Sequence, residues 1–162
     1  MKIPPCLSAT RDTRYGSLEE LKARRGKLYC EKLTVLGVGQ VTPMHLRWNK
    51  VEDIISRGGG KLVIQLYSAT TDEGLADSKV TVSINATKPV VKAGGDVQLI
   101  LGESITLPPR LYHKFWGAQD RVLVGEVSLV SDDKTDDRFH EPIDCSPEIE
   151  EDEPPLHLLV TD

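Results

Sequence analysis

From Lys27 onward the chain alternates short apolar, often β-branched runs with clusters of Gly, Pro and Asn. This is the pattern of many short strands joined by tight turns, as in an all-β sandwich or barrel. The clearest predicted strands are Tyr29 to Leu36, Lys61 to Tyr67, Lys79 to Ile84, Val97 to Leu101, Ser104 to Leu107 and Arg121 to Val130. Turn signals separate them at Gly37 to Gly39, Gly58-Gly59-Gly60, Asn85, Gly94-Gly95, Pro108-Pro109 and Gly117. Within 121–130, Val122, Val124, Glu126 and Ser128 share one face, and Leu123, Val127 and Leu129 the other, because successive side chains alternate. Both faces are largely apolar, which suits a strand enclosed in a barrel. The first 26 residues lack this pattern and offer one helical candidate, Ser17 to Arg24, in which Ser17 and Glu20 match a capping box. The predicted organisation is a 1–26 extension, a 27–143 barrel, and a 144–162 acidic linker with a final strand at Leu156 to Val160.

With 162 residues and an apolar fraction of 39%, one folded domain is expected. No apolar run approaches the roughly 20 residues of a membrane-spanning helix, and no apolar segment follows Lys2 as a secretory leader would require. The net charge of −5 is unevenly spread: residues 132–153 hold 11 of the 25 acidic residues against only Lys134 and Arg138. That stretch repels nucleic acid, and the basic residues before it are scattered, so no nucleic-acid partner is expected. Cys6, Cys30 and Cys145 are odd in number and far apart, which argues against a disulfide framework and for the cytoplasm. Gly58-Gly59-Gly60-Lys61 lacks the spacing of a phosphate loop, and no strand-helix alternation accompanies it.

The candidate chemistry lies in two spaced motifs. Gly39 is followed after five residues by His45, then Arg47, Glu52 and Gly59; Gly102 is followed after five by Pro108, then His113. The series is similar to the two cupin motifs. Residues at i and i+2 of a strand project to one face, so ligands at that spacing enter a barrel together. A carboxylate and a His from a later strand then complete a site for Mn, Fe, Zn or a similar divalent ion.

The residues around these motifs narrow the resemblance. Thr42-Pro43-Met44-His45, Lys50-Val51-Glu52-Asp53-Ile54 and Arg57-Gly58-Gly59-Gly60 resemble the TPMHFHW, KxEDI and RGGG stretches of the D-lyxose isomerase family. Leu107-Pro108-Pro109, Leu111-Tyr112-His113, Phe115-Trp116, 122–128 and Phe139-His140-Glu141-Pro142-Ile143 resemble it too, so the similarity covers roughly residues 27–159. Family members carry a longer N-terminal segment than this chain shows.

The resemblance implies a cupin-type β-barrel, a metal-dependent aldose-ketose isomerase acting on D-lyxose or D-mannose, Mn2+ as the ion, and a homodimer. Position by position it implies His45, Glu52 and His113 as metal ligands, with Lys50 and Glu141 beside the sugar. Lewis-acid polarisation of a carbonyl and proton transfer by a carboxylate fit that chemistry. Two positions depart from the family: Arg47 replaces a second His, and Arg110 replaces Gly in a turn. A guanidinium has no free lone pair and cannot ligate. An alternative is therefore a non-catalytic sugar-binding or regulatory cupin in which a fixed charge has replaced metal. Trp48, Phe115, Trp116 and Tyr112 either wall a sugar pocket or pack in the core. His140 and His157 have no partner in the pattern and are expected at the surface.

Overall fold

The computed structural model describes residues 9–12 and 17–142. The predicted strand at Leu156 to Val160 and the acidic stretch before it lie outside the described residues. The elements are β1 (Ala9–Asp12), α1 (Leu18–Ala23), β2 (Tyr29–Leu36), β3 (His45–Arg47), β4 (Glu52–Ser68), β5 (Val80–Thr81), β6 (Ser83–Ile84), β7 (Val90–Val91), β8 (Gly95–Leu99), β9 (Ser104–Leu107), β10 (Leu111–Leu129), α2 (Asp133–Asp136) and β11 (Asp137–Phe139). Nine of the strands form one curled antiparallel sheet with the path β1-β2-β10-β4-β9-β6, while β8 pairs with β4, and β3 joins β10 to β11. This is an all-β, cupin-type barrel. Strands β5 and β7 form a separate two-stranded ladder.

The predicted helix forms at Leu18–Ala23 with both bonds of the capping box: Ser17 Oγ accepts from the Glu20 amide, and Glu20 accepts from the Ser17 amide. The extension is more than a helix, however, since Ala9–Asp12 pairs along β2 from Val35 to Lys32. Its sequence has no strand alternation; the free edge of β2 supplies the backbone partners that the side chains do not specify.

Gly58, Gly59 and Gly60 and Gly117 lie inside strands and not at turns. They sit in the long antiparallel pair β4–β10, whose register shifts between Ala118 and Val122 and again between Leu123 and Val124. A Cβ on Gly59, where φ is +88°, would overlap the carbonyl oxygen of Arg121. The glycine there permits two strands to cross tightly at a bulge, which bends the pair into a barrel wall. Along β10, Val122 and Val124 are buried, but Leu123 and Leu129 are 37% and 40% exposed, so one face of 121–130 is on the outside. The core is a cluster of aliphatic side chains that includes Leu36, Leu62, Ile64, Leu66, Leu99 and Ile105, with Phe115 at its margin.

Candidate metal centre

Sheet register places the histidines together. His45 on β3 lies directly opposite His113 on β10, and their ring centroids are 4.2 Å apart. Glu52 opens β4 on the face that also carries buried Ile54. One ligand atom each from His45, Glu52 and His113 falls within 4.8 Å of the others, so three distant parts of the chain converge as the spacing predicts.

Each imidazole is fixed by a carbonyl two residues earlier. His45 Nδ1 is 2.8 Å from Pro43 O, and His113 Nδ1 is 3.1 Å from Leu111 O. A carbonyl only accepts, so both Nδ1 atoms carry the proton and both Nε2 atoms present lone pairs. Burial and the Arg47 charge push His45 down to about 4; burial and the neighbouring His45 push His113 down to about 4. Both rings are neutral at pH 7.

Glu52 divides its carboxylate. Oε2 lies 3.1 Å from Lys50 Nζ, while buried Oε1 accepts no hydrogen bond among the described residues and lies 3.2 Å from His113 Nε2. A lone pair and an anionic oxygen facing each other at that distance repel unless a cation lies between or beside them. Two neutral imidazoles and one carboxylate are a donor set suited to a divalent metal with further positions open, and the orphaned Oε1 shows where its charge is needed. The centre therefore fits a metal ion. Burial alone would raise the Glu52 carboxyl, but the charges of His113 when protonated, Lys50 and Arg47 hold it below the usual range. With His113 neutral, the two permanent cations carry that effect.

Lys50 is the best-enclosed cation here, its side chain fully buried between Glu52 and Glu126, whose Oε1 accepts from Nζ at 2.7 Å. Burial would lower its pKa, but Glu126 and then Glu52 raise it above the ordinary value, so it stays charged. The loop that carries it is fixed by buried Asp136, which accepts from the Asn49 amide at 2.7 Å, the Asn49 side chain at 2.9 Å and the Lys50 amide at 3.1 Å. Arg47 is also buried, facing Asp137 Oδ2 through Nη1 at 3.3 Å and Glu52 Oε2 through Nε at 4.0 Å.

His45, Arg47, Glu52, His113 and Glu126 line a cavity of about 200 Å³ with Phe115 and Phe139, whereas Lys50 lies outside its lining. Glu141 is exposed and borders a neighbouring depression with Met44, Lys114 and His140, which shares Thr42 and Pro43 with the cavity. His140 is exposed, as predicted, with its ring edge-on to Tyr112 at 5.6 Å. Tyr112 is core and Phe115 does both duties, closing the core and lining the cavity. Trp48 is half-buried beneath the Arg110 guanidinium, 5.2 Å from its ring. Arg110 occupies its turn at φ 62°, as its place in the motif predicts.

Three participants escaped the sequence reading. Glu126 interrupts the apolar face of Val122 and Val124, and a carboxylate in such a stripe was the available signal. Asp136 and Asp137 belong to the acidic 132–153 stretch, where abundance hid the two that fold back on β3 and the Asn49 loop.

A sequence model of the D-lyxose isomerase family matches residues 9–162. The chain belongs to the D-lyxose isomerase family. It is 49% identical over 135 residues to a D-lyxose/D-mannose isomerase of Serratia proteamaculans, covering 82% of this chain and 59% of that relative. It is 50% identical over 136 residues to a protein of the same name from Escherichia coli O157:H7, covering 82% of this chain and 60% of that one. The chain thus spans less than two thirds of the length of these family members. Among solved structures it resembles Cellulomonas parahominis L-ribose isomerase, with a TM-score of 0.58 at 15% identity over 83% of this chain and 69% of the other. A Shewanella oneidensis protein gives 0.53 at 18% identity, covering 80% and 72%. At those identities the D-lyxose isomerase family member shares a fold with them.

Proposed function

We propose that the protein is a metal-dependent aldose-ketose isomerase that converts D-lyxose to D-xylulose and D-mannose to D-fructose. The observation that carries this reading is the convergence of two Nε2 lone pairs and the orphaned Glu52 Oε1 at one point in a polar cavity. His45, Glu52 and His113, within the proposed 27–143 barrel unit, would hold the ion, taken to be Mn2+. A divalent cation bound there supplies Lewis acidity toward the carbonyl and adjacent hydroxyl oxygens of an open-chain sugar and offsets the negative charge that grows as the C2 proton leaves.

The chain's own groups do the rest. Carbonyls of Pro43 and Leu111 keep both imidazoles in the ligating tautomer. Lys50, enclosed behind the cavity wall, acts through Glu52, which it fixes, and Glu126 is committed to holding Lys50. Glu141 stands at the exposed rim that shares Thr42 and Pro43 with the cavity. It is assigned the transfer between C2 and C1, one proton removed and one returned. Phe115 and Phe139 offer apolar surfaces to the sugar's C–H faces.

The same proposal includes a cytoplasmic location and pairing of two copies. Among the described residues no helix is long and apolar enough to cross a membrane. The outer face exposes the register pairs Val35/Leu123 and Tyr29/Leu129 with the Arg57–Glu31 ion pair between them, a mixed surface that a second copy would cover. Purified protein with added Mn2+ should form ketose from D-lyxose or D-mannose, and chelation should stop it; no ketose from either sugar would refute the assignment. The two cations on Glu52 favour the second reading, a metal-free sugar binder, which would bind sugar in the presence of chelator and carry no ion.

A further inference from the structure

Arg47 projects into the same cavity as His45, two residues earlier on β3, and is itself only 8% exposed. Directly opposite it in the β3–β11 register stands Asp137, whose Oδ2 lies 3.3 Å from Nη1. On its other side Arg47 Nε stands 4.0 Å from Glu52 Oε2, the oxygen that Lys50 already faces at 3.1 Å. Glu52, one of three ligands, is therefore approached by two permanent cations before any metal arrives. Guanidinium stays protonated at every accessible pH and offers no lone pair, so it can neither ligate nor step aside by losing charge. In a buried setting, a fixed positive charge within a few ångströms of the ligand atoms opposes a divalent cation strongly. The nearby anion of Asp137 offsets that charge and draws the guanidinium away from Glu52.

We propose that the Arg47–Asp137 pair sets how tightly the centre holds its divalent cation, Arg47 weakening binding and Asp137 restoring most of what Arg47 takes away. The inference rests on the metal-centre reading and adds to it a counter-charge built into the wall of the site. It also gives β11 a role: the strand brings to β3 the carboxylate that makes an arginine tolerable there.

The test is a thermodynamic cycle on Mn2+ affinity, measured without sugar by titration calorimetry and by electron paramagnetic resonance of the free ion. Arg47→Met keeps the aliphatic stem and removes the charge; it should bind Mn2+ about tenfold or more tightly than the native chain. Asp137→Asn should bind about tenfold more weakly. In the Arg47→Met background the same Asp137→Asn change should cost less than about threefold, because the charge it restrained is gone. Unchanged or weaker binding by Arg47→Met overturns the proposal, as does an Asp137→Asn penalty of equal size in both backgrounds. Arg47→Gln repeats the measurement if circular dichroism shows Arg47→Met unfolded. Glu52→Gln separates this inference from its foundation: it should abolish binding in every background. If Mn2+ binding survives Glu52→Gln, or neither the native chain nor Arg47→Met binds Mn2+, the metal-centre reading falls and takes the pair's role with it.

Discussion

The interior of the barrel holds two deeply buried regions built on opposite principles. Around Leu62, Ile64 and Leu99, none measurably exposed, hydrocarbon packs against hydrocarbon. Around Lys50, Glu52 and His113, at most 2% exposed, the start of β4 with β10 and the Asn49 loop buries charged and polar groups. Burial stabilises the first region at roughly 25 cal/mol per Å² with no demand on direction. In the second, desolvation cancels most of the Coulomb attraction, so a buried ion cluster adds little net stability. The difference teaches that the polar region is arranged for what it presents, an unsatisfied oxygen and two lone pairs, and not for holding the fold together.

Single substitutions break that contrast in different ways. The largest effect is expected for Lys50→Met, which leaves Glu52 and Glu126 facing each other without their shared cation. It should cost about 3–5 kcal/mol in denaturant melts of the metal-free protein. Leu99→Ala should cost about 2–5 kcal/mol through the cavity it opens, yet leave Mn2+ affinity within about twofold. A large affinity loss there would show that the two regions are mechanically coupled.

Acid separates the regions further. Both imidazoles are held at about 4 in the folded state against an ordinary 6.5. Between those values the unfolded chain binds more protons, so their contribution is fully present above pH 6.5 and declines as pH falls toward 4. Stability of the metal-free protein should fall over that window, and the slope should drop by about half in His113→Gln. An unaltered slope in that variant would mean that other groups take up the protons. The smallest effect is expected at the turn. Arg110→Gly relieves a left-handed backbone but loses the contact with Trp48 and the Arg110 bond to Thr70 O at 3.2 Å. The two changes should nearly cancel, leaving stability within about 0.5 kcal/mol of the native value.

The fold was legible where alternation and local chemistry agree. Tyr29–Leu36 and Ser104–Leu107 form the strands that their β-branched runs predict, and Ser17 and Glu20 cap the helix. Gly58 to Gly60 read as a turn because glycine marks both turns and bulges; only the partner strand, with Arg121 pressed against Gly59, distinguishes them. The convergence of His45, Glu52 and His113 was legible because family motifs keep their spacing along the strands. Asp136, Asp137 and Glu126 were not, since their roles depend on which strand lies alongside. No local pattern encodes that Asp137 faces Arg47 across a ladder or that Asp136 caps the Asn49 loop.

The two ring-to-carbonyl bonds carry one more consequence. Because each imidazole already keeps its hydrogen on the nitrogen pointing away from the cavity, loading at neutral pH displaces no acid into the medium. The heat of uptake should therefore be the same in buffers whose ionisation enthalpies differ widely, a signature absent from sites that must first strip hydrogen from their donors.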